Sequence, residues 1–386
     1  MNENGKIRFL IFSALYPPHV GGVERFTKNV SEALYKLGHE VTVVTSAIYG
    51  DSGKLNENGV IVYRLPCFAL LGGRMPIIKK DQMFRRLLLD IKQKTYDLCM
   101  INTRFYTLSL FAARFAYKNN IKSFILDHGS AHLTFGNPLL DLIENIYEHS
   151  ITWVLRRYCT RFYGVSHDSE IFLRHFHIKA KGTIHNAIDV EEIERIVGDM
   201  DYDIRAKTGI PKNSIVISYV GRLIYRKGVI ELNQAMSTLI KRYPDLYLLY
   251  AGDGELRSEL EKQKTSHTII LGKLEYEDAI KLIKQSDIFC LATETEGFPT
   301  SVLEAAACQT FIITTLGAGG AKELIKNHDY GIVMENNYPP TIEKAIACAL
   351  NEGYRNQAVH NCYLEVKNNY TWKSIAEKII MENRNE

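Results

Sequence analysis

Lys6-Ile7-Arg8-Phe9-Leu10-Ile11-Phe12-Ser13 is a short apolar run that soon meets Tyr16-Pro17-Pro18. A strand followed by a loop fits it, because proline removes a backbone donor and stops a ladder. Residues 23–37 then place Val23, Phe26, Val30, Ala33, Leu34 and Leu37 at helical spacing, and Gly38 closes that helix as a left-handed cap. Residues 40–45 are the next strand. The same alternation continues, with strands predicted at 97–102, 123–127 and 161–165 and a helix at 108–118. After a polar stretch, 188–211, strands are predicted at 214–219, 246–251, 268–271, 288–291 and 311–314, each followed by a helical pattern. Strands alternating with helices imply parallel β-α-β units, hence an α/β, doubly wound architecture. The pattern divides into two Rossmann-like halves, 1–189 and 190–367, with a last helix, 368–386, able to pack back on the first. Ligands in such sheets bind outside the carboxyl ends of the strands. Two facing halves are expected to hold them in a cleft between domains.

A chain of 386 residues with 46% hydrophobic and 24% charged residues has the composition of a globular protein of two ordinary domains. Net charge is only +3, which argues against whole-chain nucleic-acid binding. The charge is uneven: residues 1–185 carry 24 Lys and Arg against 15 Asp and Glu, a balance of +9, and the remainder carries −6. A basic first half suits an anionic surface such as membrane lipid, although ordinary scatter of solvated charge accounts for it equally well. The seven cysteines include no Cys-x-x-Cys pair, and several sit in apolar runs, as expected of reduced thiols in a cytoplasmic protein. The N-terminus lacks a charged n-region and a cleavage site, so no signal peptide is expected, and no segment has the length and purity of a membrane span.

Two strand ends carry the chemistry. Val220-Gly221-Arg222-Leu223-Ile224-Tyr225-Arg226-Lys227-Gly228 puts Arg222 and Lys227 in a loop after an apolar run. A guanidinium fork with an ammonium point charge suits two adjacent phosphates, while Arg-Lys-Gly alone is equally the composition of a solvated turn. Glu296-Gly297-Phe298-Pro299-Thr300-Ser301-Val302-Leu303-Glu304 follows another strand. Pro299 is expected as the first residue of a helix running through Ala307, with Glu304 in its second turn. Free N–H groups at such a start favour an anion, and a carboxylate within the helix can accept hydrogen bonds from ribose hydroxyls.

Glu-x7-Glu together with Gly-Arg-Leu-x3-Lys-Gly resembles the retaining glycosyltransferases of the large family 4, which have the GT-B fold. Further segments match in the same order: Gly21-Gly22-Val23-Glu24, Asp127-His128-Gly129, Val165-Ser166, Ile184–Asp189, Ala251-Gly252-Asp253-Gly254, Leu271-Gly272 and Gly319-Gly320-x-x-Glu323. The resemblance spans nearly the whole chain. It implies that Gly21 and Gly22 leave room near the donor diphosphate and the acceptor, and that His128 sits beside the transferred sugar. It implies that Arg222 and Lys227 clamp the diphosphate and that Glu304 holds the ribose. Glu296 would lie near the sugar and its reacting carbon, with Gly297, Phe298, Pro299 and Thr300 forming that pocket and the helix start. Glu323 would orient the loop after Gly320. His185, Ala187, Asn102, Tyr225 and Arg226 depart from the family pattern. Asn102 stands where many relatives carry histidine, and Arg226 offers a third phosphate contact or a solvated cation.

The resemblance implies a retaining hexosyltransferase using a nucleotide diphosphate sugar, UDP-sugar first and GDP-sugar next. The acceptor would be a glycan or lipid-linked saccharide, in polysaccharide or glycolipid synthesis. Front-face transfer is favoured, with an oxygen of the leaving phosphate taking the acceptor proton. No cofactor or metal is expected, since preset cations can replace a divalent ion. Residues 64–94 interleave Arg64, Arg74, Lys79, Lys80, Arg85, Arg86, Lys92 and Lys94 with apolar residues. Such a segment suits peripheral contact with an anionic membrane at the inner face of the cell membrane, or a helix packed on its own domain. His175-Phe176-His177 lacks Cys or carboxylate partners at ligand spacing, and His39, His132 and His267 read as surface or packing residues. The alternatives are a nucleotide-sugar epimerase and a non-catalytic nucleotide-sugar-binding protein. A dinucleotide oxidoreductase is disfavoured, because the first loop lacks Gly-x-Gly-x-x-Gly.

Overall fold

The computed structural model describes residues 5–19, 21–50, 52–132, 138–199 and 203–384. It divides into two compact units, Met1–Asn186 with Trp372–Glu386, and Ala187–Thr371. The sequence pattern put these boundaries at 189/190 and 367/368. The difference arises because Ile188 N–H donates to Tyr370 C=O at 3.0 Å and Ile188 bridges Thr371 in parallel, so both crossing segments are paired within the second unit.

The first unit is built from β1 (Arg8–Ser13), α1 (Gly22–Lys36), β2 (Glu40–Ser46), β3 (Gly53–Glu57), β4 (Val60–Leu65), β5 (Cys67–Leu70), β6 (Met75–Ile78), α2 (Gln82–Gln93), β7 (Leu98–Asn102), α3 (Thr107–Lys118), β8 (Lys122–Asp127), α4 (Pro138–Leu155), β9 (Phe162–Gly164), α5 (His167–His175) and β10 (Gly182–Thr183). Eight strands form one sheet in the order β10-β9-β8-β7-β1-β2-β4-β3. Strand β1 lies inside it, and Phe9 to Ser13 are all buried, which is why it reads as a continuous apolar run. The sheet is parallel except at its edge, where β3 runs antiparallel to β4. Their turn, Asn58-Gly59, has both residues at positive φ, 52° and 88°. Such a two-residue turn matches the twist of a hairpin. A second hairpin, β5–β6, stands apart from the sheet.

The second unit holds α6 (Val190–Gly198), α7 (Ile204–Thr208), β11 (Ile215–Val220), α8 (Val229–Leu239), β12 (Leu246–Ala251), α9 (Arg257–Gln263), β13 (Thr268–Gly272), α10 (Tyr276–Lys284), β14 (Ile288–Leu291), α11 (Thr300–Ala307), β15 (Phe311–Thr315), α12 (Ala321–Leu324), β16 (Ile332–Met334), α13 (Pro339–Ala349) and α14 (Glu352–Asn369). Its six strands are all parallel, in the order β13-β12-β11-β14-β15-β16. The order reverses direction between β11 and β14, which makes their carboxyl ends the natural binding crevice. The last helix, α15 (Trp372–Arg384), belongs to the first unit. There Trp372 meets Phe26 of α1 edge to face, with ring centroids 5.6 Å apart.

Candidate active site

In the second unit the two charged motifs leave adjacent strands. Gly221-Arg222 follows β11, Thr293 to Glu296 follow β14, and these strands pair at Ile217–Ile288 and Ser218–Phe289. Both motifs therefore sit at the switch point of this sheet. The loop after β11 is held on every side. Tyr219 Oη donates to the Arg222 carbonyl at 2.7 Å, and Leu223 N–H donates to the Asp253 carbonyl at 2.9 Å. The Arg226 carbonyl accepts from Glu294 N–H at 2.8 Å and from Thr293 Oγ1 at 3.0 Å. Gly228 is left-handed at φ 66°, and a Cβ there would strike the Ala292 carbonyl. Only glycine lets the two loops approach this closely.

These contacts bring Lys227 Nζ into an ion pair with Glu296. Burial, and after it the nearby Arg222, lowers the Lys227 ammonium to about 8. The pairing with Glu296 acts in the opposite direction, so the group is charged at neutral pH. The Arg222 side chain is exposed, as is that of Arg226.

Pro299 is the residue before the first helical one, at φ −71° and ψ 118°, and Thr300 opens α11. The expectation that Pro299 itself begins the helix is thus off by one position. Among the described residues no side chain caps this helix start, and with Val302 N–H donating to the Pro299 carbonyl at 3.2 Å, the N–H groups of Thr300 and Ser301 are the ones that suit an anion past the end of β14. Glu304 lies one turn further and is buried at 6% exposure. The Phe298 ring, expected to line the sugar pocket, is buried, stacks on Tyr370 at 5.5 Å between centroids, and covers Gly320. It fastens the loop whose backbone runs on through Gly297, where the carbonyl accepts from Gly320 N–H at 3.0 Å. Gly319, at φ 54°, is pressed against the Glu296 and Gly297 carbonyls, where no Cβ fits.

One stretch, Asp199-Met200-Asp201-Tyr202-Asp203, does have Asp-x-Asp spacing. Residues 200–202 lie outside the described residues, and Asp203 caps α7 by accepting from Arg205 N–H and Ala206 N–H at 2.9 and 3.1 Å.

In the first unit the switch point falls between β1 and β7, and a buried polar chain lies there. Asn102 Nδ2 donates to Thr27 Oγ1 at 2.9 Å, and Thr27 Oγ1 donates to the Val23 carbonyl at 2.7 Å. With its nitrogen so used, Asn102 Oδ1 accepts from His128 Nε2 at 3.1 Å. This sets the proton of His128 on Nε2 and leaves Nδ1 as an acceptor. Burial lowers His128 to about 3, so its half-buried imidazole is neutral. Asn102, a departure from the family pattern, is therefore a positioning residue for His128. The glycines before α1 differ from one another. A Cβ on Gly22 would meet nothing within 4 Å, whereas one on Gly21 would strike Glu24. Glu24 is buried, and its Oε1 lies 2.6 Å from His19 Nδ1.

Arg104 went unnoticed in the sequence pattern. It is 1% exposed and pairs with Asp127 at 2.6 Å and Glu148 at 3.2 Å. Its guanidinium lies 4.0 Å from the Phe176 ring centroid. A signal was present at the strand ends, since Arg104 stands two residues past β7 and Asp127 ends the adjacent strand β8.

The family profile "Glycosyl transferases group 1" matches residues 201–364, and "Glycosyltransferase Family 4" matches residues 20–192. The chain belongs to glycosyltransferase family 4. As a family 4 glycosyltransferase it is similar to an uncharacterised glycosyltransferase of Methanocaldococcus jannaschii, at 26% identity over 385 residues, covering 95% of this chain and 96% of that protein. It is also similar to a phosphatidylinositol N-acetylglucosaminyltransferase subunit of Arabidopsis thaliana, at 26% identity over 405 residues, covering 98% of this chain and 82% of that one. Among solved structures, Anabaena HepE in complex with UDP superposes with a TM-score of 0.74 at 16% identity, covering 98% of this chain and 100% of that one. Sucrose-phosphate synthase from Thermosynechococcus elongatus gives 0.73 at 17%, covering 98% and 99%. The family 4 enzyme thus has the GT-B fold and is a glycosyltransferase. Among the described residues no helix is long and apolar enough to cross a membrane.

Proposed function

We propose that this glycosyltransferase is retaining and metal-independent, and moves a hexose-type sugar from a UDP-sugar, or next a GDP-sugar, to a glycan or lipid-linked acceptor. The observation that carries the proposal is the Arg222, Lys227 and α11 group at the switch point of the second unit. Loss of a nucleotide diphosphate from an anomeric carbon builds negative charge on the leaving phosphate. Two cations and a helix start oppose that charge, and so supply what a divalent ion supplies elsewhere. Glu304 is assigned to the ribose, and Glu296, released when the diphosphate takes over Lys227, to the sugar. In front-face transfer the acceptor O–H bond and the anomeric C–O bond break on one face, the proton passing to the leaving phosphate oxygen as the new glycosidic bond forms.

UDP is expected to raise the melting temperature of the free protein with the logarithm of its concentration, GDP less so and CMP least, and Glu304→Ala is expected to remove the UDP shift. Stabilisation by UDP that survives Glu304→Ala would refute the ribose contact. Turnover should not require added magnesium or manganese. An inverted anomeric product by NMR would overturn the retaining reading.

A lipid acceptor is favoured by relatives named for transfer to phosphatidylinositol and by the surface of the first unit. The basic segment forms β5, β6 and α2, and α2 turns Phe84, Leu87 and Ile91 into its own domain. Phe68, Leu70, Leu71 and Ile77 remain exposed beside Arg74, Lys79 and Lys80. Apolar side chains among cations suit the interface of an anionic bilayer. Pelleting with vesicles should therefore increase with phosphatidylglycerol content and fall in Phe68→Ser/Leu71→Ser. Pelleting that ignores lipid charge would remove the membrane reading.

A further inference from the structure

Three histidines of the first unit converge, of which His132 reads from sequence as a surface or packing residue and His175 as part of a segment without ligand partners. His132 follows β8, His149 lies on α4, and His175 ends α5, and among the described residues their ring nitrogens form a set within 4.8 Å of one another. The ring centroids are 5.8 Å (His132–His149), 5.1 Å (His132–His175) and 5.3 Å (His149–His175) apart. Three imidazoles on one tetrahedral ion, each bound at about 2.0–2.1 Å, put their centroids about 5 Å apart.

Another observation points the same way. His132 Nδ1 lies 2.6 Å from Glu148 Oε2, a carboxylate 1% exposed. That contact fixes the ring and leaves Nε2 as the ligand atom, in the carboxylate–histidine arrangement that orients metal-binding imidazoles. The surroundings also favour a cation. Glu148, Glu144 and Asp127 are buried together with Arg104 as the opposing cation.

We propose that His132, His149 and His175 form a binding site for a divalent transition metal, zinc being the type the three-imidazole set fits, with solvent in the fourth position. The site is separate from the donor-binding motifs and takes no part in the transfer reaction. It ties the segment that follows His128 to α4 and α5, and so stabilises the region that carries that histidine.

The test uses the full chain, stripped with a chelator and titrated with zinc sulfate by calorimetry, and with cobalt(II) by visible absorption. One zinc ion per chain and the d–d bands of tetrahedral cobalt are expected. His149→Ala and His175→Ala remove exposed side chains and leave the fold intact. Each should weaken zinc binding by more than the roughly 10–100-fold that loss of an outer-layer carboxylate costs. His328→Ala, an exposed histidine of the second unit, should change nothing. Failure of wild-type protein to bind zinc at sub-millimolar concentration would overturn the site. So would zinc affinity unchanged in both variants, which would assign the ions to adventitious surface histidines.

Discussion

Lys227→Ala is expected to lower kcat by roughly 10²–10³-fold, about 3–4 kcal/mol of transition-state stabilisation, as for other preset donors to a developing anion. Arg222→Ala should fall in the same range but at its lower end. The asymmetry follows from the ion pair between Lys227 and Glu296. Removing Arg222 subtracts one exposed cation. Removing Lys227 subtracts a half-buried one and also takes away the cation that faces the Glu296 carboxylate before an incoming diphosphate. The two losses should not add, since both groups act on one leaving group. A pH signature separates this role from a structural one. The ammonium is held at about 8, so raising the pH through that value removes positive charge from the site. Donor capture, read as kcat/KM, should therefore decline above about pH 8 in the wild type. In Lys227→Arg the guanidinium stays charged, and the decline should vanish even if the rate is lower. A loss of less than about 10-fold in Lys227→Ala, or 1.4 kcal/mol, would mean that Lys227 does not oppose the leaving-group charge.

The parts of this molecule that could be read from sequence are those whose neighbours in space are also neighbours in the chain. Strands β12 and β14 have the bounds read for them, because buried parallel strands are written as unbroken apolar runs. Arg222, Lys227 and Glu296 were legible for a related reason, since each lies within a few residues of a strand end. Strand β3 was missed because Gly-Lys-Leu-Asn-Glu is polar and mostly exposed at a sheet edge, although the Asn58-Gly59 turn beside it was a readable hairpin signal. The β5–β6 hairpin was hidden inside a basic stretch, its turn made by Leu71, Gly72 and Gly73, all at positive φ. Phe298 sits inside a motif, yet which way its ring points depends on Tyr370, far away in sequence. The Arg104 network was invisible because its members come from three separate elements. Arg104 and Glu148 are 44 residues apart, and no periodicity links them.

Arg104→Met should destabilise the protein by about 3–5 kcal/mol, the cost of leaving buried charge without its partner. Asp127 and Glu148 are both at most 1% exposed, and Arg104 is the cation that meets both. Burial raises the Asp127 carboxyl, Arg104 opposes that, and Glu148 adds to it. Without Arg104 the Asp127 carboxyl would be pushed further above its unfolded value. The folded state would then hold protons that the unfolded state has released, so stability must fall as pH rises. The deficit of the variant should therefore be largest at pH 8 and shrink on acidification toward the ordinary carboxylate range. Adding Asp127→Asn and Glu148→Gln to Arg104→Met removes the stranded charges and should recover most of the loss. Urea unfolding of the single and triple variants at pH 8 and pH 5 measures both effects. A single variant costing less than about 1 kcal/mol, the range of exposed pairs, would mean that water reaches the network. The consequence extends to the transfer reaction, because Asp127 precedes His128. In the wild type the Arg104 pair and Asn102 act on adjacent residues, one on the strand end and one on the imidazole. The triple variant should thus refold yet transfer sugar more slowly, since an amide at 127 keeps the shape and loses the charged tether.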